Sequence, residues 1–177
     1  MSAALRRGAC PALSAPMQTG DGLIVRLSPV SGGLSPKALI GLCESAARHG
    51  NGTIEVTARG SMQFRGLSEV SAPKFAAEVN QLGIVVRTGV PVETGPLAGV
   101  DQREIADPTP LVEAIRDAVA AAGLAEKLGP KVSVVVDGGG VVSMDAVAAD
   151  ARLTAERDGP NVLWRLAIGG TAAGARV

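Results

Sequence analysis

GTIEVTARGSMQFRGL, residues 52–67, alternates apolar and polar side chains on either side of a tight Gly60-Ser61 connection. Ile54 and Val56 mark a strand, GTIEVTA, and MQFRGL follows as a second short strand. Upstream, GLIVRLS at residues 22–28 reads as another strand and gives way to the turn-rich SPVSGG. Ser35 then caps a helix with Pro36 at its first position, and Gly50 ends it. Within that helix Leu39, Leu42, Cys43 and Ala46 fall on one apolar stripe, which makes Cys43 a buried packing residue. Asn51-Gly52 is the turn into GTIEVTA. Downstream, Ser71-Ala72-Pro73 opens a second helix that stops at Gly83, and IVVRTG is a further strand. The order over residues 22–88 is β-α-β-β-α-β, that of a ferredoxin-like α+β sandwich.

Beyond this lobe, residues 89–108 are rich in Pro and Gly and read as a connection. TPLVEAIRDAVAAAGLAEKLG follows as a helix with a break at Gly123, then KVSVVVDGGG as a strand and glycine turn. Residues 141–156 hold one or two strands and NVLWRLAIGG another, so a smaller α/β lobe follows the first. The expected division is an amino-terminal arm at 1–21, a half-domain at 22–90, and a linker plus the start of a second lobe at 91–177.

Composition bounds the chemistry. Of 177 residues 46% are hydrophobic but only 2% aromatic, so the core must be aliphatic. Seventeen basic residues balance 17 acidic ones, which argues against binding nucleic acid through a general basic field. No apolar run approaches the roughly 18 residues of a membrane span. Arg6-Arg7 precedes Cys10, but only Gly8 and Ala9 lie between, whereas a secretory signal needs about seven apolar residues or more. The start is read as cytoplasmic, where a disulfide between Cys10 and Cys43 is not expected. Two cysteines cannot supply the four thiolates of an iron–sulfur cluster. One histidine, His49, at a helix end where it favours the dipole, offers neither a zinc site nor a catalytic triad, so no metal ligands are expected.

Four features could carry function. Arg59, Gln63 and Arg65 surround a strand–turn–strand, and Gln63 and Arg65, two apart, share a face. Guanidinium forks there would suit a polycarboxylate, although a solvated hairpin explains the spacing alone more simply. Lys131, at the mouth of an apolar strand, is either an anion ligand or a gatekeeper against edge aggregation. Gly138-Gly139-Gly140 and Gly169-Gly170 lack dinucleotide or P-loop spacing, and ordinary hairpin turns explain them better. His49 completes the set as a cap.

Thr57, Arg59, Gln63 and Gly66 match the T-x-R-x-x-x-Q-x-x-G pattern of the sirohaem sulfite and nitrite reductase family, which this segment resembles. The strand around Arg26 and the run Gly50-Asn51-Gly52-Thr53-Ile54 fit as well. Arg7–Met17, Thr19–Leu23, Leu128–Val134 and Trp164–Gly170 resemble the precorrin-3B synthase branch, so the likeness spans nearly the whole chain. It implies an oxidoreductase half whose second lobe is of the sirohaem-reductase type. In such enzymes a tetrapyrrole lies between two similar halves. By resemblance Arg26, Arg59, Gln63 and Arg65 bind the tetrapyrrole, and Lys131 is the catalytic residue near the reacting centre. The reductases carry a second basic residue two positions after that lysine; here Ser133 stands there, which fits chemistry on the macrocycle better than sulfite or nitrite reduction. The 4Fe-4S cluster of the family lacks its cysteine ligands here. The resemblance therefore implies either a chain completed by a partner, a complementary cluster-bearing half or a second copy, through an exposed apolar surface of several hundred Å², or a non-catalytic tetrapyrrole-binding module.

Overall fold

The computed structural model describes residues 11–29, 33–129 and 131–173, so Cys10 and Arg6-Arg7 lie outside the described residues. The chain divides into two compact units, Met1–Arg87 and Thr88–Val177.

The first unit contains β1 (Met17–Thr19), β2 (Gly22–Leu27), α1 (Pro36–His49), β3 (Ile54–Val56), β4 (Met62–Leu67) and α2 (Ser71–Gln81). Its antiparallel sheet has the order β1-β2-β4-β3. Ser35 caps α1 as expected, its hydroxyl accepting the Ala38 N–H at 3.2 Å, with Pro36 at the first position. Core residues come from alternate positions of β2 and β4 (Val25, Leu27, Met62, Phe64, Leu67) and from one stripe of each helix (Leu42, Ala46, Ala72, Phe75, Val79). The chain has two phenylalanines, and both meet here: the rings of Phe64 and Phe75 lie 4.8 Å apart, tilted by 46°. This tilted ring contact is favourable beyond simple burial.

Three details differ from the pattern. The last expected strand, IVVRTG, is reduced to one antiparallel bridge between Val86 and Pro29, with the Arg87 N–H donating to Ser28 O at 2.8 Å. An extra strand, β1, arises from the presumed arm and pairs with β2. On α1 the buried face is Leu42, Ser45 and Ala46, while Cys43 is exposed and Leu39 is 43% exposed. The inward face is therefore turned from the one that helical spacing predicts: Ser45 packs inside, and Leu39 and Cys43 do not.

Two glycines fix the end of α1 against β4. Asn51 N–H donates to Arg65 O at 3.0 Å, and a Cβ on Gly50 would lie 2.4 Å from that same oxygen. Gly66 has φ +72°, and a Cβ there would lie 2.6 Å from Asn51 Cβ. Between the Val25–Phe64 and Leu23–Leu67 pairs β4 carries one residue more than β2, a bulge that Gly66 absorbs.

The second unit contains β5 (Val92–Thr94), α3 (Thr109–Ala121), α4 (Leu124–Lys127), β6 (Val134–Asp137), β7 (Ala151–Asp158) and β8 (Asn161–Ile168), with sheet order β5-β6-β7-β8. β5 falls within the expected connection at 89–108 and pairs in parallel with β6, and β6 in parallel with β7. The break after α3 occurs at Gly123, with φ +60°. Gly138–Gly140 are not a hairpin turn. They open the crossover that two parallel strands require, and a Cβ on Gly138 would meet Ala106 O at 2.4 Å. Asp137, buried, anchors this crossover by accepting the N–H groups of Gly139 (2.9 Å) and Met144 (2.7 Å). Buried Arg152 donates to Met144 O (3.1 Å) and to Val147 O, holding the same segment from the β7 side. Among the described residues no helix is long and apolar enough to cross a membrane.

Two outcomes follow for stability. Gly66→Ala should cost about 2–3 kcal/mol, from left-handed strain plus displacement of Asn51, read as a lowered denaturant midpoint by circular dichroism. His49 and Arg48 at the end of α1 hold Glu78 of α2, at 2.9 Å and 2.7 Å. These contacts, His49 foremost, draw the Glu78 carboxyl from an ordinary 4.5 down to about 2. The contribution is therefore complete above about pH 4.5 and is lost as pH falls towards 2. Glu78→Gln should cost up to about 1 kcal/mol near neutrality, and the gap between the two melting curves should close as pH is lowered through that window.

Candidate functional site

Strand alternation divides β4 into two sets. Met62, Phe64 and Leu67 are buried under the helices, while Gln63 and Arg65, half-buried, occupy the opposite face. Register then assembles a polar row across three strands, because Arg26 of β2 and Glu55 of β3 both lie directly opposite Gln63. With its amide oxygen towards Arg26, Gln63 accepts from Arg26 Nη2 at 2.5 Å and Nε at 3.2 Å, while its nitrogen donates to Glu55 Oε2 at 3.1 Å.

Arg65 stands next to this row and is held by two carboxylates. Its Nε and Nη2 donate to the two oxygens of Asp21 at 2.9 and 3.0 Å, and Nη1 donates to Glu55 Oε2 at 3.2 Å. Asp21 also accepts from the Thr19 hydroxyl at 2.8 Å and from Asn51 Nδ2 at 3.1 Å. Arg65, helped by Thr19, keeps the Asp21 carboxyl well below the usual carboxylate range, and Asp21 with Glu55 pushes the Arg65 guanidinium further up. Asp21 and Arg65 therefore both stay charged near neutrality.

Arg59 sits half-buried in the β3–β4 turn. That turn closes by Thr57 N–H to Ser61 O at 2.8 Å and Ser61 N–H to Thr57 Oγ1 at 3.1 Å, with Gly60 at φ +70°. Thr57 and Gly60 thus have a conformational reason to be there. Lys131 belongs to the second unit, exposed in the turn before β6. Two positions on, Ser133 is buried, its N–H donating to Asp150 Oδ2 at 2.9 Å. His49 links α1 to α2 by its hydrogen bond with Glu78 Oε1, as well as ending a helix.

The structure therefore brings Arg26, Gln63 and Arg65 onto one face, sets Arg59 at the tip of the hairpin that carries Gln63, and places Lys131 in the other unit. It adds two residues that sequence reasoning missed. Glu55 had a signal, since alternation with Ile54 and Val56 turns it towards Gln63. Asp21 had none, because it lies 44 positions from Arg65 and only the β1–β2 turn carries it there.

Comparison with known proteins agrees with this architecture. Residues 15–82 match the nitrite/sulfite reductase ferredoxin-like half domain. The chain is 47% identical over 170 residues to a precorrin-3B synthase from Sinorhizobium sp, covering 96% of this chain and 37% of that protein. It is 27% identical over 164 residues to the ferredoxin–nitrite reductase of Synechococcus elongatus, covering 87% of this chain and 32% of that one. It thus spans about a third of the length of these curated relatives. Among solved structures, the Mycobacterium tuberculosis NirA protein matches with a TM-score of 0.58 at 19% identity, over 88% of this chain and 31% of its own. Dissimilatory sulfite reductase I matches at 0.56 and 15%, over 77% and 33%. These two likenesses speak for the fold alone. With its antiparallel sheet, its two helices on one face and its polar row on the other, the first unit carries the nitrite/sulfite reductase ferredoxin-like half domain over residues 15–82.

Proposed function

We propose that this chain is the tetrapyrrole-binding half of a precorrin-3B-synthase-like oxidoreductase, taking part in the oxygen-dependent modification of precorrin-3A in cobalamin biosynthesis. The observation that carries the reading is the convergence of Arg26, Gln63 and Arg65 on the sheet face away from the helices. The 47% identity to a precorrin-3B synthase supports the choice of branch. Buried Ser133, in place of a second cation after Lys131, counts against the alternative of sulfite or nitrite reduction.

The residues present fit an acidic macrocycle. Arg65 already receives a carboxylate, that of Asp21, in two-point geometry, so its fork is presented as a ligand acid group would need it. In the proposal Arg26 and Arg65 bind acidic side chains of the tetrapyrrole, Gln63 orients Arg26, and Arg59 approaches from the hairpin tip. When bound, the tetrapyrrole supplies the macrocycle on which oxidation occurs. Lys131 is proposed to hold or deliver a proton near the reacting centre.

An iron–sulfur cluster does not fit the residues of this chain. Cys43 is exposed on α1, and with Cys10 the sequence offers two thiolates where such a cluster takes four. Electron delivery is accordingly proposed to come from a complementary, cluster-bearing half.

Titration of the chain with uroporphyrin, an octacarboxylate, tests the site by absorbance or fluorescence. Arg26→Ala should weaken binding roughly tenfold or more, the usual worth of a charge-assisted hydrogen bond. Binding as tight as wild type would refute this placement. Lys131→Ala should leave that affinity within about twofold but lower turnover of precorrin-3A by at least about tenfold once the partner half and a reductant are added. Unchanged turnover would remove Lys131 from the chemistry, and binding without any turnover in the reconstituted wild type would favour a non-catalytic binding module.

A further inference from the structure

Asp21 holds the Arg65 fork in the way a ligand carboxylate would, with one oxygen on Nε and the other on Nη2. It does so from a short turn between β1, an edge strand of three residues, and β2. Gly20 and Gly22 flank it, and Gly22 has φ +118°. The contact is open to water: the Arg65 side chain is 27% exposed, Asp21 36% and Glu55 48%. Ion pairs this accessible are weak and exchangeable. The second partner of Arg65 has a different consequence. Glu55 holds Nη1 from β3, so Arg65 would stay in position if Asp21 left.

We infer that Asp21 is a built-in competitor for the carboxylate site, occupying the Arg65 fork until an acidic side chain of the ligand displaces it and the β1–β2 turn swings away. This rests on the reading of the face as a carboxylate-binding site. The charge balance is consistent with it. Arg26 and Arg65 are matched by Asp21 and Glu55 when no ligand is bound. Displacing Asp21 exposes one cation for one incoming carboxylate, whereas Glu55 remains as the fixed brace. A ligand with no free acid group gains nothing from the exchange, so the device selects for carboxylates over their esters.

Uroporphyrin titration of the full chain and its variants tests this. Asp21→Asn should bind about threefold to tenfold more tightly than wild type, the range that a weak exposed pair can hold back. Arg65→Ala should bind more weakly, and Asp21→Asn should bring no gain when Arg65 is already alanine. A purely structural Asp21 would give weaker binding, not tighter. If Arg26→Ala and Arg65→Ala both weaken binding while Asp21→Asn gives no gain, the competitor role is wrong and the site reading stands. If neither arginine variant changes affinity, the site reading itself fails and the competitor role with it. Should Asp21→Asn melt early, hydrogen exchange in the wild type decides. Amides of the Thr19–Gly22 turn should exchange faster with uroporphyrin bound, and unchanged or slower exchange overturns the inference.

Discussion

The first unit depends on how closely the end of α1 passes β4. Only a hydrogen fits between Gly50 and the Arg65 carbonyl, and only a hydrogen fits between Gly66 and Asn51. This contact fixes more than packing. It sets the bulge that lets β4 carry an extra residue, and thereby the direction in which Arg65 leaves the strand. Asn51, pressed against Gly66, also donates to Asp21, so the packing constraint and the charged cluster share an atom group. A side chain at either glycine would push apart the helix end, the bulge and the arginine together.

On the side of the sheet away from the helices, the balance is electrostatic. The chain carries no net formal charge, and the candidate site repeats this on a small scale. Two guanidinium groups face two carboxylates, with Gln63 passing hydrogen bonds between Arg26 and Glu55. Such a face is stable in water without ligand, since each cation is satisfied. It is also easily rearranged, because partly exposed pairs yield little net energy. Recognition by exchange of carboxylates suits these magnitudes better than capture by bare cations would.

The second unit is built on a different economy. Its parallel strands β6 and β7 are linked by a crossover without a helix, and its backbone groups need partners from elsewhere. Buried Asp137 and Arg152 supply them, one accepting from amides and the other donating to carbonyls of the same segment. The Arg152 Nε finds no partner among the described atoms. Outside this polar frame, β8 leaves Leu163, Leu166 and Ile168 about half exposed.

Local pattern was enough to read much of this protein. Alternation in residues 52–67, Ser35-Pro36 at a helix start and Gly83 and Gly123 as stops depend on neighbours in sequence, so the elements and their order were legible. Gln63 and Arg65 could be placed on one face because strand geometry has a period of two. The misreadings share a cause. The face of α1 that turns inward, the reduction of IVVRTG to one bridge at Val86, the addition of β1 and β5 and the crossover role of Gly138–Gly140 all depend on what lies across from them. Register across strands put Arg26 and Glu55 opposite Gln63, and a turn 44 positions away put Asp21 on Arg65. By itself the sequence determined which residues could bind a carboxylate. Tertiary structure alone decided which carboxylate already occupies the arginine, since pairing over such a separation leaves no trace in local order.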